Sequence, residues 1–162
     1  MEKVAIFVDV QNVYYTTKQA FGRHFDYNTF WALATRERQV VKALAYAIDR
    51  GDGKQRQFQN ILRGIGFDVQ LKPYIQRSDG SSKGDWDVGI AIDVMDYAAN
   101  VDVVVLVSGD GDYALLVDRI RQKHRLRVEV YGVEALTAQG LVRSASAFFP
   151  IGGELLLAGG KA

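Results

Sequence analysis

The sequence predicts an α/β domain of three layers, in which helices cover both faces of a mostly parallel sheet of about five strands. Two continuous apolar runs, VAIFV at 4–8 and VVVLV at 103–107, are typical of strands buried on both faces of a parallel sheet. Segments with helical periodicity alternate with these strand-like runs along the chain. Such alternation indicates crossover helices that pack on the two faces of one sheet.

Length and composition narrow the class of protein. The chain has 162 residues, 48% of them apolar and 24% charged, which suits one globular domain over residues 1–162. It contains no cysteine, so disulfides, zinc–thiolate sites and cysteine nucleophiles are excluded. No apolar run approaches the roughly 18 residues of a membrane span, and the first residues lack the apolar core of a secretory signal. We therefore expect a cytoplasmic protein without a membrane partner.

The elements follow one another in a regular order. The turn residues at 49–53 (DRGDG) end the second strand, and Pro73 suits an edge position for the third. Residues 134–162 hold a helix and an apolar tail, which could pack on the core or on the second subunit of a homodimer. The expected strands are 4–8, 40–48, 67–75, 103–107 and 127–131, in the order 3-2-1-4-5; the expected helices are 11–20, 28–36, 54–64, 85–100 and 113–124; the expected long loop is 76–84.

Aspartates stand at the strand ends that would meet in this fold. The chain has 14 Asp against 5 Glu. Asp9 ends the first strand, while Asp110 and Asp112 follow the fourth. Open parallel sheets bind ligands outside the carboxyl ends of their strands, where the winding reverses. In the order 3-2-1-4-5 these carboxylates therefore converge, and Asp87 joins them if its helix begins beside the same strand ends.

A cluster of four carboxylates favours a bound cation. The like charges raise one another's pKa unless a cation neutralises them. Oxygen ligands without thiolates favour a hard divalent ion, most simply Mg²⁺ or Mn²⁺. Such ions activate water and stabilise the charge of a phosphoryl displacement, so the sequence predicts phosphodiester hydrolysis.

Each aspartate also has a purely structural interpretation. Asp110 or Asp112 could cap the helix that follows, and Asp87 could favour the dipole of its own helix. Asp9 is harder to explain in this way, because Ser, Thr or Asn12 would be the more natural cap for the next helix.

Three motifs stand out along the chain: VDVQN at 8–12, the stretch from Lys83 to Asp93 (KGDWDVGIAID), and VVLVSGDGDY at 104–113. Together they resemble the NYN domain, in particular the LabA-like branch of the PIN-like nuclease superfamily. Their order and spacing match the family over a core of about 4–133, leaving 134–162 as a C-terminal helix and tail. The resemblance implies a Rossmann-like (PIN-like) sheet, a site dependent on Mg²⁺ or Mn²⁺, and RNA as the substrate.

The resemblance also implies roles for individual residues. The positions matching the catalytic and metal-binding acids are Asp9, Asp87, Asp110 and Asp112. Those matching the accompanying polar residues, which we expect to bind the substrate, are Asn12, Ser108 and Lys83. One departure concerns the lysine motif, where two residues separate Gly84 from Asp87 and the family usually has one. We prefer Asp87, because the following pattern continues in register from it, and we leave Asp85 and Asp93 as alternatives.

Residues near the predicted site could contact RNA. Arg77 and Lys83 lie in the expected loop and could neutralise phosphates, and Trp86 beside that loop could stack on a base. We therefore predict a metal-dependent ribonuclease. The alternatives are a regulatory module that binds a nucleic acid, a nucleotide or a protein in the same crevice without turnover, and a phosphatase of small phosphate esters.

Overall fold

A six-stranded, wholly parallel sheet forms the centre of the protein in the computed structural model, which describes residues 1–73, 75–76, 82–83 and 85–158. Its strands are β1 (Glu2–Asp9), β2 (Arg38–Asp49), β3 (Asp68–Pro73), β6 (Val103–Val107), β7 (Arg127–Gly132) and β8 (Ala147–Pro150), in the order β3-β2-β1-β6-β7-β8. The predicted order is confirmed for its five strands. The sheet has one strand more than predicted, because β8 adds to the edge beside β7.

Helices cover both faces of this sheet. They are α1 (Val10–Phe21), α2 (Tyr27–Ala34), α3 (Gly53–Ile65), α4 (Asp87–Ala98), α5 (Tyr113–His124) and α6 (Gln139–Ser144). Side chains from α1, α2 and α3 pack in one apolar core, and those from α4, α5 and α6 pack in the other. The strands feed both cores alternately, since Ile6 points into the first and Phe7 into the second.

One segment differs from the sequence-based expectation, and another follows one of its two alternatives. The predicted loop 76–84 contains two short strands, β4 (Ile75–Gln76) and β5 (Ser82–Lys83), which pair antiparallel. The C-terminal tail packs on its own domain, where Leu155 and Leu156 are buried in the core beneath α2. Pro73 ends β3 at the edge of the sheet, as predicted.

No helix in the described ranges combines the length and the apolar character that crossing a membrane requires.

Candidate metal centre

The centre lies at the carboxyl edge of the sheet, where β1 and β6 are neighbours. The two strands run parallel with Val8 opposite Val107, so Asp9 and Ser108 are the next residues on adjacent strands. The Ser108 hydroxyl donates a hydrogen bond of 3.4 Å to the carboxylate of Asp9, and both residues are buried. The sheet register therefore brings together two positions that lie 99 residues apart in the chain.

Asp9 caps α1, contrary to the sequence-based expectation that another residue would do so. Its Oδ1 accepts a hydrogen bond of 3.3 Å from the backbone N–H of Asn12. Burial raises the pKa of Asp9 to about 6, with smaller contributions from the charges of Asp87 and Asp110, and the bond from Asn12 opposes the rise. Asp9 is therefore a helix cap whose charged form is disfavoured, because the capping hydrogen bond does not offset the cost of burying the carboxylate.

The loop from Ser108 to Asp112 carries the next two carboxylates. The backbone N–H of Asp110 donates 3.2 Å to the Ser108 hydroxyl, and the N–H of Asp112 donates 2.9 Å to Asp110 Oδ1. Asp112 directly precedes α5, yet its side chain makes no capping hydrogen bond to that helix. The capping interpretation thus fails for Asp112, whose carboxylate is exposed toward the cluster.

Two glycines let this loop lie close against the segment 136–138. A Cβ at Gly109 would come within 2.8 Å of the Leu136 carbonyl oxygen, and one at Gly111 within 2.8 Å of the Ala138 Cβ. The loop is also fastened from α1, since Asn12 Oδ1 accepts a hydrogen bond of 3.0 Å from the Gly109 N–H. In the described part of the chain, the Asn12 side chain thus binds the acidic loop, and its contact with substrate stays a prediction.

Asp87 enters the centre from the first turn of α4. Its Oδ1 accepts a hydrogen bond of 3.2 Å from the Tyr113 hydroxyl on α5. Partial burial and the nearby Asp110 raise the pKa of Asp87 to about 6, while the bond from Tyr113 acts to lower it. Tyr113 is not among the site residues predicted from the sequence. Its position directly after SGDGD, in the first turn of a helix that starts at the cluster, is the signal that could have found it.

Asp87, Asp110 and Asp112 can each offer one carboxylate oxygen to a group whose members all lie within 4.8 Å of one another. Asp9 is not a member of this group, but the charges of Asp87 and Asp110 help to raise its pKa. An all-oxygen donor set of this size fits a hard divalent cation such as Mg²⁺ or Mn²⁺, which commonly keeps several waters and binds through a few carboxylates. The residues present therefore fit the predicted cofactor class.

The other two acids considered on this helix have different surroundings. Asp93 accepts a hydrogen bond of 2.7 Å from the Tyr46 hydroxyl, outside the cluster. Asp85 is exposed, and its backbone carbonyl accepts a hydrogen bond of 2.9 Å from Lys72. Of the three alternatives, the geometry places Asp87 in the centre.

Trp86 is held by the protein on several sides. Its indole N–H donates 2.9 Å to the carbonyl of Ala47, and its ring lies 5.2 Å from that of Tyr46. Lys72 Nζ lies 4.7 Å from the indole centroid, and a Cβ at Gly89 would come within 2.7 Å of the ring. Trp86 thus anchors the start of α4, and base stacking by it stays a prediction.

Two cations, Arg77 and Lys83, were predicted to contact phosphates. Arg77 lies outside the described residues, and Lys83 is described only as a backbone position in β5. Their contact with RNA stays a prediction.

Comparison with known proteins identifies the family. The sequence model of the NYN domain matches residues 3–152. This chain belongs to the NYN domain family. NYN domains form part of the PIN-like nuclease superfamily, whose members generally use divalent metals.

Two proteins are similar to this NYN domain over most of their lengths. The chain is 30% identical over 150 residues to the low amplitude and bright protein LabA of Synechococcus elongatus, covering 86% of this chain and 78% of LabA. It is 60% identical to a Vibrio parahaemolyticus protein of unknown function whose crystal structure superposes with a TM-score of 0.92, covering 96% of both chains.

A third likeness concerns the fold alone. Ribokinase of Giardia lamblia is 12% identical with a TM-score of 0.51, covering 93% of this chain and 58% of the ribokinase. The architecture therefore recurs in a protein of quite different sequence.

Proposed function

We propose that this NYN domain is a metal-dependent ribonuclease that hydrolyses RNA phosphodiester bonds at its aspartate cluster. The observation that supports the proposal best is the close approach of Asp87, Asp110 and Asp112, whose ligand oxygens lie within 4.8 Å of one another. Unneutralised carboxylates at this spacing repel, and a divalent cation relieves that repulsion. Membership of a family of PIN-like nucleases supports RNA as the substrate class.

The proposed roles follow from position. Asp87, Asp110 and Asp112 would hold Mg²⁺ or Mn²⁺. Asp9 would contact the ion through a water molecule. A bound divalent ion supplies activation of water and charge stabilisation at the phosphoryl group. The exposed Asp112 is suited to orient the attacking water.

The remaining residues would position these acids or the substrate. Ser108 joins β6 to Asp9 and Asp110, and Asn12 fixes the loop through the Gly109 N–H. Tyr113 orients Asp87. Arg77 and Lys83 would bind phosphates of the RNA chain.

The experiment compares Mn²⁺ binding and cleavage of a labelled single-stranded RNA by the purified protein and two variants. We expect cleavage with Mn²⁺, none with EDTA, and a loss of both cation binding and cleavage in Asp110→Asn. The matched control is Asp118→Asn, which removes an exposed acid from α5 outside the cluster and should leave both unchanged.

Other outcomes would replace the proposal. RNA binding without cleavage at any divalent ion would favour a regulatory module that uses the same crevice. Hydrolysis of an aryl phosphate by a protein that leaves RNA uncleaved would favour a phosphatase. Unchanged Mn²⁺ binding in Asp110→Asn would contradict the assigned centre itself.

A further inference from the structure

A cleft of about 730 Å³ opens beside the metal centre, on the face of the sheet covered by α1 and α3. It lies between the first turns of α1, the carboxyl end of β2 and the start of α3. Its volume falls in the range of pockets that enclose small organic ligands. The ring of Tyr14 is exposed at its wall, stacked at 5.7 Å on the exposed His24.

The cleft adjoins the acidic cluster through consecutive residues. Val10 lines the cleft, and Asp9, the residue before it, belongs to the centre. Their Cα atoms are therefore about 3.8 Å apart. Tyr27, buried in the cleft wall, is close enough to Asp9 for that carboxylate to help raise its pKa, although its own burial is the larger cause. The wall of the cleft therefore lies next to Asp9.

One side chain in the cleft has unused hydrogen-bonding capacity. Gln59 on α3 is only 5% exposed and lines the cleft. Within the described part of the chain its carboxamide has no hydrogen-bonding partner, yet its polar atoms are not sealed from the cleft. An amide in this position offers two donors and an acceptor to a ligand in the cleft. A ligand with a mixed donor and acceptor edge would satisfy it.

The charge at the cleft favours an anionic ligand. Lys18, Arg50 and Lys54 line the cleft and are exposed. Its one acid is Asp52, the N-cap of α3, which accepts hydrogen bonds of 2.7 and 3.4 Å. The cations thus outnumber the single acid. Exposed cations and aromatic rings are the features by which proteins bind unpaired nucleotides.

We propose that this cleft is a base-binding subsite for single-stranded RNA, in which Gln59 reads the edge of a nucleobase next to the phosphate at the metal centre. Lys18 and Lys54 bind phosphates of the same strand. The inference rests on the proposed ribonuclease function for the identity of the polymer, and it extends that function to a preference among bases.

The test measures binding rather than cleavage, so that it stands apart from the test of the proposed function. Four labelled single-stranded RNAs, each rich in one base, are titrated in EDTA with the wild-type protein and with Gln59→Met, which keeps the side-chain length and removes the amide. We expect wild type to prefer one base by about tenfold, and Gln59→Met to lose that preference. Gln57→Met, an exposed glutamine two residues away on α3, is the matched control.

A second pair of variants tests the phosphate contacts. Lys18→Ala combined with Lys54→Ala should weaken binding to all four RNAs and reduce the salt slope by about 1.4, at 0.7 per lost phosphate contact. Arg119→Ala with Lys123→Ala removes two exposed cations from α5 and should change neither quantity. Thermal denaturation of each variant confirms that the fold is intact.

The results separate the two proposals. Equal affinity of wild type for the four RNAs, or an unchanged preference in Gln59→Met, would overturn the base-reading role even if the protein cleaves RNA. Binding of a mononucleotide as tightly as RNA would overturn the polymer as occupant. A protein that binds RNA with the expected preference but never cleaves it would retain this subsite and lose the ribonuclease function.

Discussion

The Tyr113 hydroxyl donates a 3.2 Å hydrogen bond to the carboxylate of Asp87, joining the first turns of α5 and α4. Burial and the neighbouring carboxylates hold the pKa of Tyr113 above its ordinary value, so the phenol stays a donor at neutral pH. The bond favours the charged form of Asp87, which is the form that binds a cation.

Removing that hydroxyl should weaken cation binding in a pH-dependent manner. In Tyr113→Phe the pKa of Asp87 rises further, so protons compete better with the metal. We expect Mn²⁺ affinity to fall about fivefold at pH 6, equivalent to about 1 kcal/mol for the lost bond, and less at pH 8. Calorimetric titration at the two pH values measures this.

Tyr46→Phe is the control, because it removes the hydroxyl that binds Asp93 outside the centre. Equal losses of Mn²⁺ affinity in the two variants would contradict a specific role for Tyr113.

Asp9→Asn should stabilise the metal-free protein at neutral pH. The pKa of Asp9 is raised from 3.8 to about 6, so between these pH values the folded state holds a proton that the unfolded chain has released. The free energy of unfolding therefore falls as pH rises through this window. Asn caps a helix as well as Asp and cannot ionise. We expect a gain of up to about 3 kcal/mol at pH 7.5 and little change at pH 4.

Urea denaturation in EDTA at both pH values measures that gain. Asp26→Asn is the matched control, because it makes the same substitution at the N-cap of α2, away from the cluster. A neutral-pH gain no larger than that of Asp26→Asn would show that Asp9 carries no burial penalty.

Substitution of two acids on α4 should separate binding from folding. Asp87→Ala should abolish Mn²⁺ binding, because it removes one of the three clustered carboxylates. Asp93→Ala should retain Mn²⁺ binding and lower the free energy of unfolding by about 1–2 kcal/mol, since the Tyr46 hydroxyl loses its partner. Metal titration and urea denaturation of both variants are needed. Loss of Mn²⁺ binding in a folded Asp93→Ala protein would show that Asp93 is a metal-binding acid of α4.

Gly109→Ala should distort the acidic loop. The new methyl group would lie 2.8 Å from the Leu136 carbonyl oxygen and 2.9 Å from Thr137 Oγ1, so one of the two segments must shift. We expect a loss of about 1–3 kcal/mol in stability together with weaker Mn²⁺ binding. Gly140→Ala, where a Cβ meets nothing within 4 Å, should be neutral or slightly stabilising. Similar melting temperatures and Mn²⁺ affinities for both variants would count against the close packing.

Much of the fold was accessible from the sequence because its central strands are strongly patterned. The runs at 4–8 and 103–107 are buried throughout, and their adjacency follows from a simple topological rule. β8 escaped prediction because three of its four residues are half-buried, the fourth is exposed, and they carry no strong pattern. Strands β4 and β5 have two residues each, which is too short for periodicity to detect.

At the site, sequence reasoning found the carboxylates and missed what surrounds them. The motif spacing predicted that Asp87, Asp110 and Asp112 lie together, because each follows a strand or begins a helix at the carboxyl edge of the sheet. The capping role of Asp9, the packing of Trp86 and the Tyr113 bond depend on side-chain directions in three dimensions, which spacing does not encode. Gln59 likewise lay unnoticed, since an amide on an amphipathic helix has no distinctive pattern.

The close packing of the acidic loop against the segment 136–138 makes sequence variation at distant positions interdependent. Thr137 Oγ1 lies 2.9 Å from the place of a Cβ at Gly109 and 2.5 Å from that of one at Gly132. A side chain at Gly132 therefore requires a smaller residue at 137, whereas one at Gly109 also meets the Leu136 carbonyl oxygen at 2.8 Å. A larger residue at 137 requires both glycines to stay. Related sequences should therefore vary jointly at positions 132 and 137, so the segment after residue 133 is constrained together with the acidic loop it packs against.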